Sequence, residues 1–167
     1  MRAWLLLLGC LGGAAPWAAA QAGCEVEAEA AQRALAALRS QPRACGSVHW
    51  PAVPPLRWQP LLDASARRHA AELAAQDRLS HAGAGGASLR ARLREAGYVM
   101  QVSAENLAGG PETLDEVLAQ WLASPAHCEH LMAADLQEFG LACAAHPHNQ
   151  RRYWVLQLAT PAGGSAR

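Results

Sequence analysis

The sequence predicts a single α+β domain, because helical patterns fill most of the chain and alternating patterns appear only near its end. The chain has 167 residues, of which 51% are hydrophobic, enough for one compact core and too few for two. Residues 139–145 and 154–158 alternate between inward and outward positions and flank a polar loop. These two segments predict an antiparallel hairpin.

The helices before this hairpin are indicated by apolar spacing and by capping residues. A first helix covers residues 26–40, and residues 41–55, which contain four prolines, form a connecting loop. A second helix begins at Pro60, and a short basic one spans residues 88–96 and ends at Gly97. Together they predict a helical region ahead of the strands.

Two more helices follow one another directly. Thr113 and Glu116 have the spacing of a reciprocal capping box, in which each side chain binds the backbone of the other residue. Ser124 then suits an N-cap and Pro125 the first helical position, so His127 falls in the first turn of a new helix.

The charge balance argues against a nucleic-acid partner. Fourteen basic and fourteen acidic residues cancel, and no stripe of Lys and Arg with interleaved aromatic residues is present. We expect a monomer with no nucleic-acid partner and no transmembrane segment.

The N-terminus has the pattern of a secretory signal peptide covering residues 1–20. Met1 and Arg2 are followed by an apolar stretch and by the small residues Ala18, Ala19 and Ala20. A competing pattern ends at Cys10, where Leu7-Leu8-Gly9-Cys10 resembles the lipobox of bacterial lipoproteins. The stretch is too short and too rich in glycine for a membrane span, which needs about 20 apolar residues. We expect a secreted protein, periplasmic or extracellular, with a lipid anchor at Cys10 as the alternative.

Cleavage after Ala20 leaves four cysteines in a compartment that permits disulfide bonds. Cys24, Cys45, Cys128 and Cys143 allow three connectivities. Pairing of sequence neighbours, Cys24 with Cys45 and Cys128 with Cys143, is weakly favoured.

His69 is predicted to be a hydrogen-bonded core residue. It shares the inner face of the second helix with Leu62, Ala66 and Leu73. Gln76 on the same face is its expected partner.

His81 and Glu105 are the best candidates for a shared site. The segment 82–86 is rich in glycine, and glycine allows close approach of neighbouring groups. Phosphate binding is the alternative, but the segment follows a helix and lacks the lysine of a phosphate-binding loop. We therefore interpret it as the turn that brings His81 to Glu105.

His127 is the third candidate. At a helix start the backbone dipole opposes positive charge, so the neutral imidazole is favoured, free to accept a hydrogen bond or to bind a metal. A capping or packing histidine is the alternative. A metal cluster of His127, Cys128 and His130 is a further one, disfavoured because a secreted Cys128 is expected in a disulfide.

Several segments together resemble a known family. In order along the chain they are Leu56-Arg57-Trp58, His69-Ala70-Ala71-Glu72-Leu73, Leu79-Ser80-His81-Ala82-Gly83, Ala96-Gly97-Tyr98, Ala104-Glu105-Asn106-Leu107-Ala108, Trp121-Leu122-Ala123-Ser124-Pro125-Ala126-His127-Cys128, Gly140-Leu141-Ala142-Cys143 and Tyr153-Trp154. This series resembles the bacterial branch of the CAP superfamily, the cysteine-rich secretory, antigen 5 and pathogenesis-related 1 proteins, also called SCP-like. It covers about residues 28–160, so residues 21–160 are expected to form the domain and residues 161–167 a flexible tail.

The resemblance implies a three-layer α-β-α sandwich with a small antiparallel sheet between helices. It also implies a cleft lined by histidines and acids that holds a divalent cation such as zinc in some members. His81, Glu105 and His127 match family positions, which makes His81 and His127 possible metal ligands. The chain departs from the family pattern at Ala126, where glycine is usual, and at His130, where asparagine is usual. The second acid is not identified, and Glu129 and Glu138 are candidates by proximity.

Two functions follow from these residues. The first is a secreted binding module whose cleft takes a lipid, sterol, peptide or cell-envelope ligand. The second is a metal-dependent, peptidase-like hydrolase that uses His81, His127 and Glu105. No H-E-x-x-H or G-x-S-x-G motif is present, and Ser80 is adjacent to His81 in sequence, which does not suit a serine–base pair. Binding is therefore favoured over catalysis.

Overall fold

A computed structural model describes residues 24–163. The predicted signal peptide, Cys10 and residues 164–167 lie outside the described residues. Five α-helices and six β-strands occur within them. In chain order they are α1 (Ala28–Arg39), β1 (Arg43–Cys45), β2 (Val48–Trp50), β3 (Arg57–Trp58), α2 (Pro60–Gln76), α3 (Leu89–Glu95), β4 (Met100–Gly109), α4 (Leu114–Ala123), α5 (Pro125–Met132), β5 (Glu138–Ala145) and β6 (Arg152–Pro161).

The central sheet has the strand order β3-β5-β6-β4. Strands β5 and β6 form the predicted antiparallel hairpin, in which Leu141 pairs with Leu156. Strand β4 is antiparallel to β6 and lies at the sheet edge, with Glu105 opposite Gln157. Only the two-residue β3 is parallel to its neighbour, so the small, largely antiparallel sheet implied by the family resemblance is confirmed.

Helices cover both faces of the sheet, as the alternation of side chains along β6 requires. Val155 faces α2, where it packs with Ala66, Ala70 and Leu73. Leu156 faces the opposite layer, formed by α1, α4 and α5. The α-β-α sandwich is therefore confirmed. None of the helices within residues 24–163 combines the length and the apolar character needed to cross a membrane.

Helix α2 lies almost directly on β5. A Cβ atom at Gly140 would overlap the backbone of Leu62 and Asp63, far inside contact distance. The glycine therefore sets the separation between this helix and the sheet.

The structure buries His69 completely on the inner face of α2, as predicted. Its partners differ from the expected one: Nε2 donates to the carbonyl oxygen of Ser80 at 2.9 Å, and Nδ1 lies 3.2 Å from Glu72 Oε2. Gln76 is wrong as the partner because it is exposed at the last turn of the helix.

The disulfide bonds join distant parts of the chain, so the neighbour pairing is wrong. Cys24 is bonded to Cys143 and Cys45 to Cys128. The prediction failed because it weighed sequence distance alone, whereas the fold brings the N-terminal segment beside β5 and the β1–β2 hairpin against α5. This hairpin also corrects the loop predicted for residues 41–55.

The capping box of α4 is half confirmed. Thr113 Oγ1 accepts from the backbone N–H of Glu116 at 3.2 Å, but Glu116 accepts from the N–H of Glu112 rather than from that of Thr113. Ser124 stands at the N-cap of α5, yet its side chain makes no capping hydrogen bond.

Candidate functional site

His81 and Glu105 are in direct contact at the edge of the sheet. His81 follows α2 in the chain, Glu105 lies on β4, and His81 Nδ1 is 2.9 Å from Glu105 Oε1. The carboxylate is buried, whereas 65% of the His81 side chain is exposed. Because the carboxylate accepts the Nδ1 hydrogen, Nε2 of a neutral His81 keeps a free lone pair.

Arg92 of α3 holds this pair in place and was not predicted. Its Nη2 donates to Glu105 Oε2 at 2.5 Å, and its Nη1 donates to the carbonyl oxygens of His81 and Ala87 at 2.7 and 3.0 Å. Gln157 on β6 adds a third donor to the carboxylate at 3.2 Å. The available signal was a cation on the apolar stripe of α3, between Leu89 and Leu93.

The glycine loop makes room for Arg92. A Cβ atom at Gly83 would lie 2.9 Å from Arg92 Cδ and 3.2 Å from Glu72 Oε2. Gly85 and Gly86 take positive φ angles of 63° and 81°, which other residues rarely adopt. The loop thus folds over the arginine that positions both His81 and Glu105.

His127 and His130 come from α5 and are linked by Asn106, the residue after Glu105. Asn106 Nδ2 donates to the His127 carbonyl oxygen at 3.0 Å, and its Oδ1 lies 2.8 Å from His130 Nδ1. The amide oxygen accepts the Nδ1 hydrogen of His130, which leaves Nε2 of the neutral ring with a free lone pair. Glu105 and Asn106 are adjacent on β4. Glu105 therefore holds His81, and Asn106 holds His127 and His130.

Both α5 imidazoles are favoured in their neutral form. Burial lowers the pKa of His127, and the nearby His130 and His81 lower it further. Burial also lowers the pKa of His130, with His81 acting in the same direction and Glu129 opposing it. The neutral His127 was expected from the helix dipole, whereas here desolvation is the main cause.

The three histidines line one cleft of about 610 Å³ between α3, the β4 edge and α5. His81, Glu105 and His127, predicted from sequence, are thus brought together. Glu129 and Glu138 are not among the cleft-lining residues, and Glu138 instead accepts from Tyr98 and Arg57. The cleft residues are His81, Ala82, Gly86, Ser88, Leu89, Ser103, Ala104, Glu105, Ala126, His127 and His130.

Metal binding by His81 and His127 stays a prediction, and the side chains around them in the described part of the chain supply no third ligand. Across residues 24–163, no group of three or more His, Cys, Asp or Glu side chains is placed to hold a cation. Cys128 is in a disulfide, and Glu105 gives its oxygens to His81, Arg92 and Gln157. A cation on Glu105 would also face the Arg92 guanidinium, so Glu105 does not suit the role of a metal ligand.

The fold and the cleft define an α-β-α sandwich protein with a histidine-lined groove. The family model of the cysteine-rich secretory protein family, CAP, matches residues 52–158. The chain belongs to this family. Among curated proteins, none is significantly similar to it.

Solved structures with the same fold are bacterial and eukaryotic. An outer surface protein of Borrelia burgdorferi is 19% identical with a TM-score of 0.68, covering 82% of this chain and 97% of that one. An extracellular protein with an SCP domain from Bacillus anthracis is 20% identical with a TM-score of 0.56, covering 64% of this chain and 34% of that one. Venom allergen-like protein 4 of Schistosoma mansoni is 14% identical with a TM-score of 0.51, covering 80% and 90%. At these identities the likeness concerns the fold alone.

Proposed function

We propose that this protein is a secreted bacterial binding module, without catalytic activity, whose cleft captures a lipid, peptide or other cell-envelope ligand. The observation that carries the proposal is the cleft itself: an open groove of about 610 Å³ with apolar walls and fixed polar groups. Such a combination is typical of ligand sites, in which apolar surface gives affinity and a few placed polar groups give orientation.

The bonding of Glu105 favours binding over hydrolysis. A hydrolytic Glu105 would have to activate a water molecule, but both of its oxygens already accept hydrogen bonds from protein donors. Its geometry instead orients the His81 ring, whose exposed Nε2 can bond a ligand hydroxyl or amide. His130 is oriented in the same way by Asn106.

Two disulfide bonds support an oxidising compartment, as does the signal-like sequence of residues 1–20. Mass spectrometry of the mature N-terminus distinguishes the two processing routes. Cleavage after Ala20 supports a freely secreted protein, whereas an acylated Cys10 supports a lipid anchor.

Thermal unfolding in the presence of defined ligands tests the binding proposal. The probes are detergent-solubilised phosphatidylglycerol, phosphatidylethanolamine, a sterol, muropeptides and a short peptide pool. A ligand at about one hundred times its Kd stabilises by about 2.7 kcal/mol, which raises the Tm of a domain of this size by about 5 to 10 °C. We expect at least one probe to produce such a rise.

Two variants test whether the rise in Tm comes from a ligand bound in the cleft. His127→Ala should abolish the rise, because the ring lines the cleft, whereas His49→Ala on the exposed β2 strand should retain it. No rise with any probe, or equal rises in both variants, would contradict the proposal. Cleavage of peptide or ester substrates that is lost in His81→Ala would favour the hydrolase instead.

A further inference from the structure

Strand β4 lies at the edge of the sheet, and its outer edge runs along the cleft. It pairs with β6 on one side, and no other strand within residues 24–163 pairs with it. Ser103 and Ala104 both line the cleft, although successive side chains of a strand point to opposite faces of the sheet. Residues of α3 and of α5, which belong to opposite helical layers, also line it. The cleft therefore opens onto the backbone edge of β4.

The hydrogen bonds of the sheet show which backbone groups of β4 face this edge. In an antiparallel pair, alternate residues exchange hydrogen bonds with the partner strand, and the backbone groups of the residues between them point away from it. The N–H of Gly110 donates to the carbonyl oxygen of Arg152 at 2.9 Å, and the pairing then runs one to one back to Val102 opposite Thr160. Even-numbered residues of β4 therefore bond β6, whereas the N–H and C=O groups of odd-numbered residues point away from it.

The backbone of Ser103 is unpaired on this edge. The carbonyl oxygen of Leu107 accepts from Trp121 Nε1 at 3.1 Å, and that of Gln101 accepts from Arg90 Nη2 at 3.5 Å, so odd-numbered carbonyls do point away from β6. Ser103 lies between these two residues, is partly exposed and lines the cleft. No group within residues 24–163 forms a hydrogen bond with its N–H or its carbonyl oxygen. One backbone donor and one acceptor are thus open to a ligand.

A second peptide backbone is the partner that fits these two groups. The N–H and C=O of one extended residue lie side by side, and a neighbouring strand about 4.8 Å away offers an acceptor and a donor at the matching spacing. An acyl chain or a sterol ring system has no such pair. Addition of an extended peptide to an exposed sheet edge is a common mode of recognition, in which the backbone gives affinity and alternate side chains give specificity.

The edge around Ser103 lacks the features that usually block such pairing. Edge strands are commonly protected by lysine, by proline, by an inward-pointing charge or by a bulge. Val102, Ser103 and Ala104 carry no charge and include no proline, and the irregularity in the pairing with β6 lies before Val102. The charge of Glu105 is taken up by Arg92. An unprotected stretch of about three residues is therefore accessible from the cleft.

The cleft walls favour an uncharged segment. Among the cleft-lining residues, Glu105 carries a negative charge that Arg92 neutralises, and the lowered pKa values of His127 and His130 keep both imidazoles neutral at pH 7. Successive side chains of an added strand would face His81 on one side and the α5 histidines on the other. Since these rings can accept hydrogen bonds, side chains with a hydroxyl group suit both sides.

We propose that the cleft binds an extended, uncharged peptide segment as an added strand on β4, with the N–H and carbonyl oxygen of Ser103 as its backbone partners. The proposal rests on the binding function proposed for the cleft and narrows its ligand to a peptide.

Amide hydrogen exchange, followed by nuclear magnetic resonance on the full mature protein, tests this pairing. The probes are two blocked pentapeptides, one of alternating threonine and valine and one of alternating threonine and alanine. In the free protein the Ser103 amide should exchange rapidly, whereas the Ala104 amide, bonded to β6, should be protected. A peptide at one hundred times its Kd should slow the exchange of Ser103 about a hundredfold. The same peptides N-methylated at every residue should have no such effect.

Two variants of Ser103 distinguish its backbone from its side chain. Ser103→Ala removes the hydroxyl group and keeps the backbone N–H, so peptide binding should persist. Ser103→Pro removes the N–H, which β4 does not use in pairing with β6, and proline is tolerated in an edge strand where its nitrogen faces outward. This variant should therefore fold and lose saturable peptide binding. If it does not fold, the N-methylated peptides provide the same test from the side of the ligand.

Several outcomes would overturn the proposal. They are a Ser103 amide that is already protected in the free monomer, saturable binding that survives N-methylation or a folded Ser103→Pro, and no saturable binding of either peptide. Protection of Ser103 that grows with protein concentration alone would instead assign the edge to a second copy of the chain.

The same measurements separate this inference from the proposed function. A rise in Tm with a lipid or a sterol, without protection of Ser103 by either pentapeptide, would overturn strand addition and leave the binding function standing. Neither a rise in Tm nor protection of Ser103 with any probe would overturn both.

Discussion

At the scale of single residues, Arg92 makes most of the contacts that hold His81 and Glu105 in position. It pairs with Glu105 and binds the backbone on both sides of the glycine loop. Its side chain is 6% exposed and that of Glu105 is 3% exposed. A buried ion pair of this kind fixes the positions of its side chains and adds little net free energy of unfolding. Removal of one partner, however, leaves the other charge buried and unpaired.

Replacement of Arg92 should therefore be costly. Arg92→Met keeps much of the side-chain volume and leaves Glu105 without its cation, so we expect the free energy of unfolding to fall by about 3 to 5 kcal/mol. Urea denaturation measures the change. Arg94→Met, on the exposed side of the same helix, should change it by about 0.5 kcal/mol or less.

A double variant separates charge from packing. Glu105→Gln in the Arg92→Met background removes the unpaired charge and should recover part of the lost stability. Equal losses in Arg92→Met and Arg94→Met would contradict the assigned role.

The histidines of α5 make stability depend on pH. The pKa values of His127 and His130 are lowered in the folded protein from the ordinary value of 6.5. Below pH 6.5 the unfolded chain therefore binds more protons than the folded one, and stability falls as pH decreases towards the lowered values.

Urea denaturation between pH 5 and pH 8 measures this dependence, and nuclear magnetic resonance gives each titration midpoint. The double variant His127→Gln and His130→Gln should lose stability less steeply on acidification. Midpoints at or above 6.5 for both histidines in the wild-type protein would contradict the desolvation argument.

At the scale of elements, the cleft depends on how α5 and α2 are attached. The Cys45–Cys128 bond fixes α5, which carries His127 and His130, to the β1–β2 hairpin. The Cys24–Cys143 bond instead fixes the N-terminal segment to β5, away from the cleft residues. Only the Cys45–Cys128 bond therefore fixes a helix that contributes residues to the cleft.

Removal of either disulfide should lower the free energy of unfolding, but only one of them should also affect ligand affinity. Cys45→Ser with Cys128→Ser and Cys24→Ser with Cys143→Ser should each reduce stability by about 2 to 5 kcal/mol. Only the first pair should also weaken a cleft ligand, measured by calorimetry at a temperature where both variants are folded. Equal affinities in the two variants would show that α5 is held without its disulfide.

The contact of α2 with β5 gives a second prediction at this scale. Gly140→Ala introduces a methyl group into the backbone of Leu62 and Asp63, so the helix must move away from the sheet. We expect a loss of about 1 to 3 kcal/mol or more in urea denaturation. A loss below about 0.5 kcal/mol would mean that α2 shifts freely on the sheet.

At the scale of the whole molecule, the sequence predicted the sandwich but not all of its strands. The β5–β6 hairpin was predictable because both strands alternate regularly and end at a polar turn. Strand β4 was missed although residues 100–105 alternate between apolar and polar types, because Asn106 then follows Glu105 as a second polar residue in succession. The alternation that identifies a strand therefore ends at Glu105 and Asn106, the two residues that hold the cleft histidines.

The candidate site was predictable from the sequence only in part. His81, Glu105 and His127 stand in motifs with a family resemblance, so sequence alone singled them out. Arg92, Asn106 and Gln157 act by holding those residues, and their positions depend on how separate elements meet. The disulfide pairing failed likewise, because contacts across the fold leave no trace in the spacing of cysteines.

The order in which the cysteines appear has a consequence for biosynthesis. Cys24 and Cys45 leave the ribosome long before their native partners, Cys143 and Cys128. An oxidising enzyme that acts on the growing chain would join these first two, because a short loop closes more readily than a long one. Production of the native protein therefore calls for late oxidation or for thiol exchange that undoes this first bond, and yield should depend on a disulfide isomerase.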